Sequence, residues 1–170
     1  MKKRLMIIFG VLIFLVLVLV VWEFIHLKTN FKQQVYILPK GFKGVVLVAY
    51  EQEDGIDDEI VDGKLIYKIP QSGVLKVKRK EAISISQTWY YFEDELGKRT
   101  EFYYCFPPCE ELKKDTTTVF AFGRSNGTSI GEDGYELNRT IFLVGTADDT
   151  DRLSKEAEKL NAIEIIMNTK

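Results

Sequence analysis

Histidine is nearly absent from this 170-residue sequence, and cysteine is scarce. The one histidine, His26, lies just after an apolar run, and the two cysteines are Cys105 and Cys109. A folded domain without histidine has no Ser-His-Asp or Cys-His nucleophile and no imidazole ligand for a metal. Two thiolates also cannot fill the four positions of a structural zinc site. We therefore expect no catalytic residue, no metal site and no cofactor.

An excess of basic residues is also missing. The chain has 23 Lys and Arg against 25 Asp and Glu, which gives a formal net charge of −2 at pH 7. Proteins that bind nucleic acid usually carry a basic patch, so we do not expect nucleic acid as a partner. With 46% hydrophobic and 28% charged residues, the composition is that of a folded protein rather than a disordered one.

Residues 5–22 contain no charged side chain, and as a helix they would measure about 27 Å, close to the ~30 Å hydrocarbon core of a bilayer. We predict a single N-terminal transmembrane helix within residues 1–27. The dense positive charge before it predicts a cytoplasmic N-terminus and an extracytoplasmic C-terminal domain at the cell membrane. Four flanking residues are assigned to the membrane interface: Lys2, Lys3, Arg4 and Trp22. A cleaved signal peptide is the alternative, although residues 20–24 lack the small residues of a cleavage site.

The rest of the chain divides into a polar stalk over residues 28–35 and a β-rich domain over residues 36–170. Short apolar runs broken by turn residues are typical of strands, which we predict at 36–38, 45–50, 64–69, 74–77, 83–85, 117–122 and 140–144. Leu153, Ala157 and Leu160 share one face of a predicted helix over residues 149–161. Alternating apolar residues at 163–167 predict a final strand. The expected fold is an antiparallel β-sandwich-like domain with one late helix.

Two aromatic segments, residues 89–92 and 102–104, predict a hairpin that turns at Leu96-Gly97. A two-residue turn would place Asp94 opposite Arg99, but leucine disfavours a positive φ, so a four-residue turn stays open. The aromatic side chains either fill the core or form a surface for sugars or a partner. Four of them are the candidate interaction surface: Trp89, Tyr91, Phe102 and Tyr104.

Residues 36–48 read YILPKGFKGVVLV, residues 67–75 read YKIPQSGVL and residues 142–146 read FLVGT. These segments resemble a bacterial family, domain of unknown function 6843, over about residues 36–150. The resemblance implies a short secreted or membrane-anchored protein, and it implies no catalytic residue. The order of strands is also similar to that of small extracellular sandwiches of the prealbumin type, an analogy of fold alone.

Three further segments each allow two interpretations. Cys105 and Cys109 form a disulfide outside a cell unless the intervening prolines hold them apart as free thiols. The acidic loop at 51–62 either binds calcium or is a solvated connection. Residues 123–134 either cradle an anion, with Arg124 at the rim, or form a mobile hairpin loop.

Together these features predict a non-enzymatic, single-pass membrane-anchored module outside the cytoplasm. Its expected partners are the membrane and a protein or envelope component. A carboxylate-dependent envelope hydrolase and a structural subunit of a membrane complex are the alternatives, because two acids can suffice for glycoside hydrolysis.

Overall fold

The computed structural model describes residues 13, 15–19, 33–81, 87–106 and 115–169. The chain forms two compact units, and the described residues of the N-terminal unit, 13 and 15–19, are helical. Within the described ranges, no helix combines the length and the apolar character needed to cross a membrane. Most of the predicted span lies outside these ranges, as do the four interface residues, His26 and the strand predicted at 83–85.

The second unit is built mainly from strands. Its described strands are β1 (Gln33–Pro39), β2 (Gly44–Ala49), β3 (Glu59–Val61), β4 (Lys64–Lys68), β5 (Val74–Lys76), β6 (Thr88–Glu93), β7 (Arg99–Phe102), β8 (Phe120–Ile130) and β9 (Glu136–Gly145). A 3-10 turn at Ala147–Asp149 leads into helix α1 (Thr150–Glu158), and helix α2 (Ala162–Asn168) follows. The prediction of a mainly β domain with a late helix is confirmed.

The strands form two mixed sheets, in the orders β3-β4-β1-β6-β7 and β5-β2-β9-β8. Strand β1 runs parallel to β4 and β6, and β2 runs parallel to β5, so the expectation of antiparallel sheets is corrected. The reason lies at Pro70–Gly73, where a tight turn closes with a 2.9 Å hydrogen bond from the N–H of Gly73 to the carbonyl of Pro70. The chain then enters the other sheet as β5 instead of returning beside β4.

Aromatic side chains fill the space between the two sheets. The ring of Tyr36, which is fully buried, stacks on Tyr67 with centroids 5.1 Å apart and on Tyr90 at 5.6 Å. It also meets Phe142 of the opposite sheet at 4.9 Å. Fully burying one large apolar side chain stabilises a fold by about 1.5–3 kcal/mol, so this shared core holds the two sheets together.

A second apolar cluster joins helix α2 to the outer face of the β2–β9 pair. It contains Leu47, Leu137 and Ile141 from the strands, and Ala162 and Ile166 from the helix. The strand predicted at 163–167 is therefore corrected to a helix. Asn161 begins this helix, because its side chain accepts a 3.3 Å hydrogen bond from the N–H of Glu164.

The domain begins earlier than the sequence indicated. Strand β1 starts at Gln33, and both Gln34 and Val35 are buried. The last residues of the predicted stalk, 33–35, therefore belong to the first sheet, while residues 28–32 lie outside the described ranges.

The aromatic hairpin is confirmed as β6 and β7, with a register one residue away from the expected one. Tyr90 pairs with Phe102, and Glu93 pairs with Arg99 through a 2.7 Å ion pair. Gly97 has a φ of 77° and donates to the carbonyl of Asp94 at 2.9 Å, which makes a three-residue loop. The positive φ thus falls on the glycine alone, and Leu96 avoids it.

Strand β8 replaces the loop that was predicted over residues 123–134. The strand pairs with β9 as far as Ile130, and the turn occupies Gly131–Gly134 instead. A bulge between Phe122 and Ser125 interrupts the register, and Gly123 has a φ of 61° there. Residues 123–130 are therefore corrected from a loop to a bulged strand, and binding of an anion at Arg124 stays a prediction.

Candidate binding site at the end of the sandwich

The bulge in β8 directs the side chain of Arg124 into the end of the space between the sheets. Its Nη1 donates to Thr88 Oγ1 at 2.9 Å, and its Nη2 donates to Gln34 Oε1 at 3.1 Å. Gln34 and Thr88 are paired neighbours on β1 and β6, so one guanidinium bridges both strands. The same group lies 5.7 Å from the centre of the Tyr36 ring, a cation–π distance.

The described hydrogen-bond partners of the Arg124 side chain are neutral oxygens. Its Nε donates to Asn126 Oδ1 at 3.4 Å, and within the described residues it forms no ion pair. A guanidinium has five N–H donors, and Tyr90 is a further hydrogen-bond partner of this one. Burial raises the pKa of the Glu81 carboxyl, and Arg124 opposes that shift from beyond ion-pair distance. The site therefore retains a half-buried positive charge.

Four tyrosines lie behind Arg124. Tyr50 shares a buried 3.0 Å hydrogen bond with Thr140 Oγ1, and Tyr67 interacts with Tyr50. Within the described residues, the buried hydroxyl of Tyr36 has no hydrogen-bond partner. Burial raises the pKa of Tyr36 and Tyr67 well above the ordinary value, and it raises that of Tyr90 to about 12. These phenols stay protonated at neutral pH, so they contribute no negative charge to balance Arg124.

Among the described residues, no strand lies beside the edge of β8 that follows Arg124. Gly131 donates to the carbonyl of Tyr135 at 2.8 Å, which makes this a directly bonded pair of the β8–β9 ladder. Because directly bonded pairs alternate along an antiparallel ladder, the backbone groups of Asn126, Thr128 and Ile130 point away from β9. Among the described residues they meet no backbone partner, and all three residues are exposed. We call Arg124, Asn126, Thr128 and Ile130 the β8 edge surface.

The other sheet edges carry the features that usually block edge pairing. Strand β3 has three residues, and β5 also has three and includes Lys76. Strand β7 carries Arg99 and Glu101 within four residues. Shortness and charge both discourage edge-to-edge contacts, whereas Ser125–Ile130 has neither. Ser125–Ile130 of β8 is thus the uncharged edge segment of the described domain.

The four aromatic residues predicted as an interaction surface are not brought together. Trp89 and Tyr91 pack on the outer face of the first sheet, beside Val35, Ile37 and Ile66. Phe102 is 6% exposed and belongs to the core. Tyr104 stacks on Tyr90 at 5.8 Å, and its hydroxyl accepts a 2.8 Å hydrogen bond from the N–H of Arg124. Of the predicted set, Tyr104 alone contacts the candidate site.

The acidic loop is neutralised by Lys76, at the end of β5, and by the basic residues that follow it. Four ion pairs connect the two segments: Lys76–Asp54 at 2.7 Å, Lys78–Asp57 at 3.1 Å, Arg79–Asp58 at 3.2 Å and Lys80–Glu51 at 3.6 Å. The hydrogen bond from Lys76 is the main cause that lowers the pKa of Asp54. Within the described ranges, no cluster of three or more His, Cys, Asp or Glu residues could hold a metal ion. These pairs favour the interpretation of this segment as a connection rather than a calcium loop.

A shallow cleft of about 720 Å³ lies where the carboxyl ends of β4, β1 and β6 meet. Lys68 and Glu93 line it, and each already has a partner: Lys68 pairs with Glu59 at 3.0 Å and Glu93 pairs with Arg99. Lys40, Asp94 and Glu95 line it as well, so the cleft carries charged side chains of both signs.

Cys105 is buried and disulfide-bonded, and it lies beside β8. Its N–H donates to the carbonyl of Ala121 at 2.7 Å. Cys109 lies outside the described ranges, so its pairing with Cys105 stays a prediction.

Two mixed sheets with an aromatic interior and late helices define the class of this domain. The chain belongs to the family of unknown function DUF6843, whose family model matches residues 30–153. The resemblance found in the sequence is thereby confirmed. No curated protein matches the chain.

One solved structure is similar in fold, a crystal structure described as a "Putative Lipoprotein from Bacillus anthracis". The TM-score is 0.50 at 15% identity, and the match covers 67% of this chain and 71% of that chain. At this identity the likeness concerns the fold alone.

Proposed function

We propose that this chain is a non-enzymatic, membrane-anchored extracytoplasmic interaction module, and that the β8 edge surface recognises its partner. The apolar run at 5–22 supports the anchor. The similar solved structure, described as a lipoprotein, is consistent with a place at the cell envelope.

The observation that carries the proposal is the succession of two recognition features on one strand. Arg124 is hydrogen-bonded by neutral groups and has no ion pair within the described residues, and backbone groups without a described partner follow at Asn126, Thr128 and Ile130. An open sheet edge binds an extended segment through main-chain hydrogen bonds, and a guanidinium binds carboxylates through paired N–H groups. The expected partner is therefore an extended protein segment with an acidic residue near one end.

Site-specific photocrosslinking in intact cells tests this proposal. A photoreactive amino acid replaces Thr128 on the open edge in one variant of the full-length chain. In the matched control it replaces Thr100, an exposed threonine of edge strand β7. We expect a discrete protein adduct from position 128 that disappears when Arg124→Gln is added. No adduct from position 128, or equal adducts from both positions, would overturn the proposed surface.

A further inference from the structure

We infer that the partner that fits the β8 edge surface is a second copy of this chain, paired antiparallel across a twofold axis at Thr128. This inference rests on the proposed function, because it names the occupant of the same surface. Cyclic dimers with a twofold axis are the commonest protein oligomers, and their interfaces must be self-complementary.

The hydrogen-bond pattern of β8 meets that requirement. The outward-pointing residues are equally spaced about Thr128, so a twofold axis there pairs Thr128 with itself and Asn126 with Ile130 of the other copy. Each of these residues offers one N–H and one C=O, and every such pair exchanges both bonds. An axis at Gly127 or Ser129 would leave one of the open residues without its counterpart. Thr128 therefore defines the register that satisfies the whole edge.

The charges at the two ends of the strand are complementary in the same register. Arg124 precedes the open edge, and the turn that follows it carries Glu132 and Asp133. Antiparallel pairing brings the turn of each copy toward the Arg124 end of the other. Within the described residues, Glu132 and Asp133 form no ion pair of their own. Opposite charges at matching ends favour this orientation and disfavour the parallel one.

The uncharged centre of the edge avoids the repulsion between like charges that opposes the pairing of two identical copies. Residues 125–130 read SNGTSI, so two copies meet without like charges in contact, although the whole chain carries −2. Thr128 and Ile130 have β-branched side chains, which suit a paired strand. The exposed side chain of Ile130 also gains a neighbour across the interface.

Disulfide trapping of the full-length protein in detergent tests the register. Directly bonded residues of an antiparallel pair have Cα atoms about 5.5 Å apart, a separation that a disulfide accepts. Under mild oxidation we expect Thr128→Cys to give a covalent dimer, and Thr100→Cys to stay monomeric on a non-reducing gel. A monomeric Thr128→Cys, or equal dimer from both variants, would overturn the inference.

A proline variant tests the hydrogen bonds separately. The N–H of Thr128 points away from β9, so Thr128→Pro removes no backbone hydrogen bond of the folded monomer, and an edge strand tolerates proline at such a position. It does delete the 2.7 Å side-chain bond from Thr128 Oγ1 to Asn138 Oδ1, which Thr128→Val deletes as well. We expect Thr128→Pro to weaken dimerisation by about tenfold or more in light scattering, and Thr128→Val to leave it unchanged. Circular dichroism of both variants confirms folding, and an unweakened Thr128→Pro dimer would contradict the pairing.

The photocrosslinking described above separates the two proposals. An adduct of position 128 with a different protein, together with a monomeric Thr128→Cys, would refute self-pairing and retain the interaction surface. If position 128 gives no photocrosslinked adduct and Thr128→Cys also stays monomeric, the β8 edge surface itself is refuted.

Discussion

Gly73 approaches the carbonyl oxygen of Val45 so closely that a methyl group on its Cα would lie 2.5 Å from that oxygen. The same methyl would lie 3.1 Å from the ring of Phe42. Gly73 has a φ of 76°, and its carbonyl accepts a 2.9 Å hydrogen bond from the N–H of Leu47. The turn that carries part of the family resemblance thus joins β2 by direct backbone contact.

Replacing Gly73 by alanine should therefore be much more damaging than replacing Gly97. Both glycines have a positive φ, which costs an alanine about 1–2 kcal/mol, but Gly97 has no neighbour within 4 Å of the added methyl. The clash at Gly73 adds about 1–3 kcal/mol. We expect urea unfolding to show a loss of about 2–5 kcal/mol for Gly73→Ala and about 1–2 kcal/mol for Gly97→Ala. Equal losses would mean that the contact with Val45 relaxes freely.

Removing the hydroxyl of Tyr36 should stabilise the domain. Within the described residues this buried oxygen has no hydrogen-bond partner, and burying an unpaired hydroxyl is unfavourable by about 1–3 kcal/mol. We expect Tyr36→Phe to raise the free energy of unfolding by about 1 kcal/mol. Tyr50→Phe is the matched control, because it deletes the 3.0 Å hydrogen bond to Thr140 and should lower stability by a similar amount. Shifts of the same sign in thermal melts would contradict this account.

The buried tyrosines also predict unfolding in alkali. Burial is the main cause that raises the pKa of Tyr36, Tyr67 and Tyr90, the last to about 12. An unfolded tyrosine titrates near 10, so between about pH 10 and 12 the unfolded state releases protons that the folded state keeps. Stability is therefore unaffected below pH 10 and falls as the pH rises beyond it.

Tyrosinate absorbance measures this effect directly. We expect Tyr36, Tyr67 and Tyr90 to titrate only together with loss of the folded circular dichroism signal. Tyr67→Phe should decrease the delayed step. A single step near pH 10 with the fold intact would show that the phenols are accessible.

Local patterns in the sequence predicted most elements of this fold because strands and turns carry local signals. The aromatic hairpin is an example, although its register depends on Asp94, whose Oδ1 accepts hydrogen bonds from the N–H groups of Leu96 and Lys98 at 3.1 and 2.9 Å. Those bonds place the positive φ on Gly97 and shift the pairing by one residue. An aspartate followed three residues later by glycine was the signal for this turn.

Helix α2 also had a local signal that alternation concealed. Ile163, Ile165 and Met167 alternate like a strand, yet Ala162 and Ile166 are the residues that become buried. Asn161 and Glu164 have the spacing of a capping box, and the side chain of Asn161 caps the helix. The cap was therefore more informative than the alternation.

Parallel pairing and the Arg124 site had no comparable local signal. Whether β5 returns beside β4 or joins β2 depends on contacts far apart in the chain. The partners of Arg124, Gln34 and Thr88, are likewise 90 and 36 positions away. Glycine and asparagine near Arg124 are typical of a loop, and the ladder with β9 overrides that preference.

The pairing of Cys105 with Cys109 can be tested by mass spectrometry. We expect the native protein to take up no alkyl group without reductant and two after reduction, because an exterior pair of neighbouring thiols oxidises. Two alkyl groups before reduction would refute the bridge. A disulfide-linked dimer of the unmodified chain would show that these cysteines bridge two copies instead.

Protease protection tests the predicted anchor and its orientation. The charges before residue 5 predict an N-terminus that stays in the cytoplasm, while a long following domain is exported largely regardless of its charge. Protease added to intact cells should therefore digest the β-rich domain, and a cytoplasmic marker should survive as the control. Protection of the domain until lysis would reverse the orientation. Release of a folded domain into the medium without its N-terminal run would instead identify residues 5–22 as a cleaved signal peptide, because a spanning helix of about 27 Å would hold the domain at the membrane.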